Sequence, residues 1–179
     1  MPSRICVFLG SSLGNGHDYV RLAAEVARTI VSRGFGIVYG GGRVGLMGAL
    51  ADAGLDAGGE VVGVIPESLE RREVVHRGLT HLHIVDTMHE RKARMAELSD
   101  AFIALPGGIG TLDELFDMLS WQQLGVHAKP IGVLNYRGFF DAQLTQLDHM
   151  VVQGFVTNEH RHMLVAARDL PELLLRMRL

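Results

Sequence analysis

Apolar residues along this chain follow two rhythms that take turns. Short unbroken runs predict strands covered on both faces: Ile5 to Leu9, Gly36 to Tyr39, Glu60 to Ile65, Leu82 to Val85, Ala101 to Leu105, Pro130 to Leu134 and Leu164 to Ala167. The segments between them space their apolar residues for helices. Asp18 to Arg33 carries Leu22, Val26 and Ile30 along one stripe and stops at Gly34. Further helices are predicted over about Gly45 to Ala57, Met88 to Leu98, Phe139 to Gln153, and onward from Thr111 and Pro171. Thr87 with Glu90 three residues later makes a capping box for the Met88 helix. Glu67 to Gly78 is charged and weakly periodic, and reads as a loop holding a helical turn.

Buried strands alternating with amphipathic helices predict an α/β fold, a Rossmann-like, doubly wound parallel sheet with helices on both faces. The 179 residues show no linker, charge block or repeat, so a single domain spanning residues 1–179 is expected. In such sheets ligands bind beyond the carboxyl ends of the strands. Ser11-Ser12, Gly40 to Gly42, Pro66-Glu67, Pro106 to Gly110 and Asn135 each follow a strand, and this topology places them on one rim.

Composition narrows the function classes. A hydrophobic fraction of 47% with 21% charged residues is that of a globular chain, and a net charge of −3 offers no footprint for nucleic acid. No run approaches the ~20 apolar residues of a membrane span, and the apolar run after Arg4 is too short for a secretory signal. The one cysteine, Cys6, lies inside a strand run, which excludes a disulfide framework and fits a reducing, cytoplasmic setting. The histidines form no ligand set: His81 and His83 share a strand face, His160 and His162 share a short segment, and neither pair has a carboxylate at ligand spacing. No metal and no cofactor are expected, and no serine sits in a nucleophile elbow.

The chemistry concentrates between Ala101 and Trp121. The strand run halts at Pro106-Gly107-Gly108-Ile109-Gly110-Thr111 and gives way to a helix with Asp113 and Glu114 in its first turn. Thr111 and Glu114 fit a capping box. A cap leaves the three glycines unexplained, whereas Gly107, Gly108 and Gly110 uncover backbone amides against which a phosphate or ribose can lie. A second cluster, Gly40-Gly41-Gly42-Arg43-Val44-Gly45, fits a dinucleotide pattern at Gly40, Gly42 and Gly45, and two readings stand for it: phosphate contact, or tight strand-to-helix packing. Arg91 and Lys92 sit early in the Met88 helix, where cations oppose the helix dipole. They are either a solvated pair or face the rim, meeting a ligand phosphate or Glu114.

These residues carry a resemblance. Tyr39-Gly40-Gly41-Gly42 with Gly45-Leu46-Met47-Gly48, Met88-His89-Glu90-Arg91-Lys92-Ala93, and Pro106 to Glu114, a PGGxGTxxE match, resemble the LOG family of cytokinin riboside 5′-monophosphate phosphoribohydrolases over nearly the whole chain. The resemblance implies hydrolysis of the N-glycosidic bond of AMP or an N6-modified AMP to free base and ribose 5-phosphate. It implies Arg91 and Glu114 as the catalytic pair, and Glu73, Lys92, Gly108, Ile109, Gly110, Thr111 and Ser120 as substrate contacts, with Ser120 replacing a threonine common in the family. Gly41, Gly42 and Gly107 join the expected substrate site through the two glycine clusters. A homodimer, with no nucleic-acid or membrane partner, is also implied. The family's older "lysine decarboxylase" label requires a Schiff-base lysine, and Lys92 and Lys129, the only lysines, lie in no such context.

Two rival functions remain in view. A non-catalytic nucleotide carrier, like the molybdenum cofactor carriers of related fold, has no need of an Arg91–Glu114 pair. An NAD-dependent oxidoreductase needs a ribose-binding acid, for which only Glu67 offers itself.

Overall fold

The computed structural model describes residues 3–70 and 75–179. Among them seven parallel strands form one sheet in the order β4-β3-β2-β1-β5-β6-β7. The strands are β1 (Arg4–Phe8), β2 (Gly36–Tyr39), β3 (Val61–Pro66), β4 (His81–Val85), β5 (Ala101–Ala104), β6 (Ile131–Leu134) and β7 (Leu164–Ala167). The central ones are buried on both faces, as their unbroken apolar runs require; Cys6 of β1 lies level with Val38 of β2 and Phe102 of β5.

The helices are α1 (Asp18–Ser32), α2 (Gly45–Asp56), α3 (Glu67–Glu70), α4 (Met88–Glu97), α5 (Ile109–Gln123), α6 (Asp141–Val152), α7 (Asn158–Arg161) and α8 (Leu170–Met177). Two apolar layers result. One face of the sheet packs on α1, α2 and α8 through Val26, Ile30, Leu50 and Leu173. The other packs on α4, α5 and α6 through Met95, Leu115, Met118 and Leu147. The doubly wound α/β expectation therefore holds.

From β1 the chain winds outward through β2 and β3 to β4, then returns to lay β5 against the other side of β1 and winds the opposite way. The reversal opens a crevice above the carboxyl ends of β1 and β5, where doubly wound folds seat ligands.

Candidate functional site

The crevice is a cavity of about 190 Å³. Leu9, Gly10 and Ser11 line it from the end of β1, Gly40 from the end of β2, and Gly108 to Thr111 and Glu114 from the end of β5 and the start of α5. Arg91 closes it from α4. Of the rim expected from sequence, Ser11, Gly40 and the Gly108 stretch converge here. Glu67 and Asn135 do not line the cavity; Asn135 turns to the β6–α6 connection, donating to Asp141 and accepting from the Phe140 N–H.

The capping box expected of Thr111 and Glu114 is not formed. Helix α5 begins two residues earlier, at Ile109, with Gly108 as its N-cap and no side-chain cap. Its first intrahelical bond runs from Leu112 N–H to Gly108 O, so the amides of Ile109, Gly110 and Thr111 have no intrahelical acceptor. With roughly half a positive charge from the helix dipole, these three amides make an anion seat at the mouth of the cavity. The glycines around it divide by role. A Cβ on Gly107 would meet Thr111 Oγ1 at 2.1 Å and Gly10 N at 2.8 Å, so packing alone demands glycine there. A Cβ on Gly108 or Gly110 would meet nothing within 4 Å. Packing does not ask for glycine at those two positions.

Arg91 is 6% exposed and held from beneath. Its Nε donates to Val64 O at 3.1 Å and its Nη2 to Gly40 O at 3.0 Å, two charge-assisted bonds that fix the guanidinium plane. Nη2 also stands 3.9 Å from Glu114 Oε1. A Cβ on Gly40 would fall 2.2 Å from Nη2, so this glycine makes room for the arginine. Beneath the site, the Cys6 thiol is pushed well up by burial and further by the charge of Glu114, which leaves it protonated and no nucleophile at neutral pH.

The Gly40 to Gly45 cluster divides: Gly40 lines the cavity beside Arg91, and Gly45 serves packing. Gly45 has φ +63°, and a Cβ there would lie 2.0 Å from Ser11 O, so only glycine brings the start of α2 against the β1 loop. Gly42 O accepts from Tyr39 Oη, Gly41 O accepts from His76 N–H, and neither glycine lines the cavity.

The remaining expected contacts are spread out. Lys92 does not line the cavity; its ammonium lies 2.7 Å from Asp113 Oδ2 and 2.6 Å from Asp117 Oδ2. Ser120 faces a separate, apolar hollow of about 200 Å³ shared with Phe116, Leu119, Leu147, Met150 and Val156. Glu73 lies outside the described residues. A pair that sequence reading passed over stands nearby: His76, 6% exposed, meets the exposed carboxylate of Asp52 at 2.9 Å. No spacing signal joins residues 24 positions apart on different elements.

A family model described as "Possible lysine decarboxylase" matches residues 47–177. The chain is 49% identical over 170 residues to the cytokinin riboside 5′-monophosphate phosphoribohydrolase of Rhodococcoides fascians, covering 94% of this chain and 86% of that one. It is 48% identical over 171 residues to the cytokinin riboside 5′-monophosphate phosphoribohydrolase LOG2 of Arabidopsis thaliana, covering 96% and 80%. Among solved structures it resembles the Moco carrier protein of Chlamydomonas reinhardtii, with a TM-score of 0.70 over 94% of this chain and 91% of that one. At 20% identity that likeness shows a shared fold alone.

Proposed function

The chain belongs to the LOG family of cytokinin riboside 5′-monophosphate phosphoribohydrolases, and we propose on that footing that it hydrolyses the N-glycosidic bond of AMP or an N6-modified AMP. The observation that carries the reading is the convergence of Glu114, Arg91 and the open amides of α5 on one cavity. The 5′-phosphate lies against the amides of Ile109, Gly110 and Thr111, which fixes the ribose relative to Glu114. As the bond from C1′ to the base breaks, its electron pair leaves with the base and positive charge grows on the sugar. Glu114, as a carboxylate, stabilises that charge and takes a proton from the attacking water, whose oxygen bonds to C1′. The departing base takes up a proton in turn, so the products are free base and ribose 5-phosphate. Arg91, anchored on two backbone carbonyls, holds Glu114 in place and adds positive charge beside the phosphate.

At about 190 Å³ the cavity is smaller than the roughly 300–1,000 Å³ of sites that engulf a whole small ligand. It fits the phosphosugar and leaves the base to surfaces outside it. The cell compartment we propose is the cytoplasm, on the single buried thiol. The working form we propose is a homodimer. Its support is the apolar surface at the far end of α5 and along α6, where Phe116 lines the hollow and Val152 and Phe155 stand 80% and 84% exposed.

The decarboxylase label draws no support from the lysines. Burial alone would lower the pKa of the Lys92 ammonium, but the hydrogen bonds it donates to Asp113 and Asp117 outweigh it and hold the group above its ordinary value, the reverse of what a Schiff-base amine needs. Lys129 is engaged on Ala96 O at 2.8 Å. The oxidoreductase reading loses Gly45 to packing, Gly40 to the room that Arg91 needs, and its acid to the exposed start of α3.

Incubation with AMP, isopentenyladenosine monophosphate and GMP, with assay of ribose 5-phosphate and free base from each, tests the proposal. Release from either adenine nucleotide is expected. Tight binding with no product from any of the three would turn the reading to a nucleotide carrier.

A further inference from the structure

The proposed site places its chemistry on the sugar side of the bond that breaks. The amides of α5 and the Glu114 carboxylate address the phosphate and C1′, and a cavity of about 190 Å³ leaves the base outside. How the base departs is then a matter of its own chemistry. Adenine expelled as an anion is a poor leaving group, so its ring needs a proton by the time the bond is broken.

Among the described residues, two that line the cavity carry ionisable side chains, Arg91 and Glu114. Glu114 enters the reaction as the base that takes the proton of water. Arg91 does not give up its proton in a protein, and its Nε and Nη2 are engaged on Val64 O and Gly40 O. The next residue on α4, Lys92, also holds its proton firmly. Burial pulls the pKa of its ammonium down, but the hydrogen bonds it donates to Asp113 and Asp117 outweigh that and raise it. Where α4 faces α5 there are thus two cations, Arg91 and Lys92, against three carboxylates, Asp113, Glu114 and Asp117. That excess of negative charge favours a base that arrives as a cation.

Resting on the hydrolase reading, we propose a further activity of the same site: hydrolysis of N-ribosylpyridinium 5′-monophosphates, in which C1′ is bonded to a quaternised ring nitrogen. The phosphate lies against the amides of Ile109, Gly110 and Thr111, and the ribose meets Glu114, as for AMP. As the bond from C1′ to the pyridinium nitrogen breaks, its electron pair neutralises the charge on the ring. The base departs as a neutral pyridine with no proton added. The oxygen of water bonds to C1′, and the proton it releases passes to Glu114 and on to solvent. The products are the pyridine base, ribose 5-phosphate and one proton. The leaving group is activated within the substrate, so the site has only to supply the carboxylate and the phosphate seat.

The test incubates the full chain with nicotinamide mononucleotide beside AMP and assays free base and ribose 5-phosphate from each. At saturating substrate, kcat for nicotinamide mononucleotide is expected within about tenfold of that for AMP, or above it. The ratio of the two is expected to rise by at least about tenfold from about pH 6 to about pH 8, because only adenine draws a proton. Nicotinamide riboside, which lacks the phosphate, is expected to lose at least about a hundredfold in kcat/KM. Glu114→Gln is expected to lose release from both nucleotides; if it does not fold, the riboside comparison on the unaltered chain ties the activity to the phosphate seat. Turnover of AMP with no release of nicotinamide would overturn the proposal and leave the hydrolase reading standing. Equal rates on the riboside, or undiminished release by Glu114→Gln, would overturn it by moving the chemistry to another site. A ratio unmoved by pH would overturn it by showing that the site protonates the base itself. Nicotinamide release without AMP turnover would uphold the proposal and strike adenine from the hydrolase reading. Release from neither nucleotide would strike both.

Discussion

The Arg91 guanidinium stands 3.9 Å from the Glu114 carboxylate, with 8% and 12% of the two side chains exposed. Two backbone carbonyls hold the arginine and a glycine makes room for it. Charge sequestered this far from water needs its partners: leaving one such group unpaired costs about 3–5 kcal/mol. The site is consequently sensitive to the residues that hold this pair in place.

Gly40→Ala is the first such case. The new Cβ would fall 2.2 Å from Arg91 Nη2 and 3.2 Å from Met47 Sδ. The guanidinium must leave Gly40 O, at a cost of about 1–3 kcal/mol in stability. Ribose 5-phosphate release is expected to fall by at least about tenfold, read alongside the urea midpoint. Full activity with an unchanged midpoint would show that Arg91 has a second resting place.

Gly107→Ala and Gly110→Ala separate packing from ligand contact. At Gly107 the Cβ meets Thr111 and the backbone of Gly10, so a lowered melting temperature is expected. At Gly110, inside α5 with open space around it, alanine is expected to leave stability equal or raise it by up to about 1 kcal/mol, with a melting temperature equal or slightly higher. If the phosphate lies against these amides as proposed, the added methyl crowds it, and AMP affinity is expected to drop several-fold. Calorimetry on Gly110→Ala checks this, and unchanged affinity would remove the phosphate from that amide.

His127 supplies a pH dependence of stability. Burial pushes its pKa below the ordinary value, partly offset by the hydrogen bond it donates from Nε2 to Met118 O, with the charge of Lys129 acting downward. Nδ1 accepts from the Lys129 backbone N–H, so protonation there breaks a bond. A folded-state pKa below the unfolded one means the contribution is complete above about 6.5 and is lost as pH falls through the folded value. The urea midpoint is therefore expected to drop as the pH falls below about 6.5, and by less in His127→Gln. Equal drops in both proteins would assign the loss to other groups, such as His83, which burial also lowers.

Phe155 and Val152 test the proposed assembly. Phe155→Glu with Val152→Glu is expected to convert a particle of twice the 19.6 kDa chain mass into one of single mass in sedimentation. No change in mass would place the interface elsewhere.

Most of the fold is legible in the sequence because buried parallel strands write themselves as unbroken apolar runs. Gly36–Tyr39 and Leu164–Ala167 coincide with their runs, and other strand boundaries move by a residue. Helix α7 and the turn at Tyr136–Gly138 are too short for any period to register. Thr87 caps α4 as its spacing says, accepting from Glu90 N–H. The same spacing at Thr111 does not signal a cap, because Gly108 already turns the chain and buries Thr111 within the first turn. At the site, the glycine motif locates the anion seat. The sequence does not reveal that Arg91 needs Gly40, or that Lys92 faces α5, because both depend on how helices from different strands meet across the sheet.

Glu114→Gln goes to the centre of the account. The amide keeps the shape of the side chain and removes its charge, so AMP affinity by calorimetry is expected within a few-fold of the unaltered chain. Release of ribose 5-phosphate from AMP by the same protein is expected to fall by at least about a thousandfold, consistent with loss of both charge stabilisation and proton acceptance. Undiminished release from Glu114→Gln would contradict the mechanism outright.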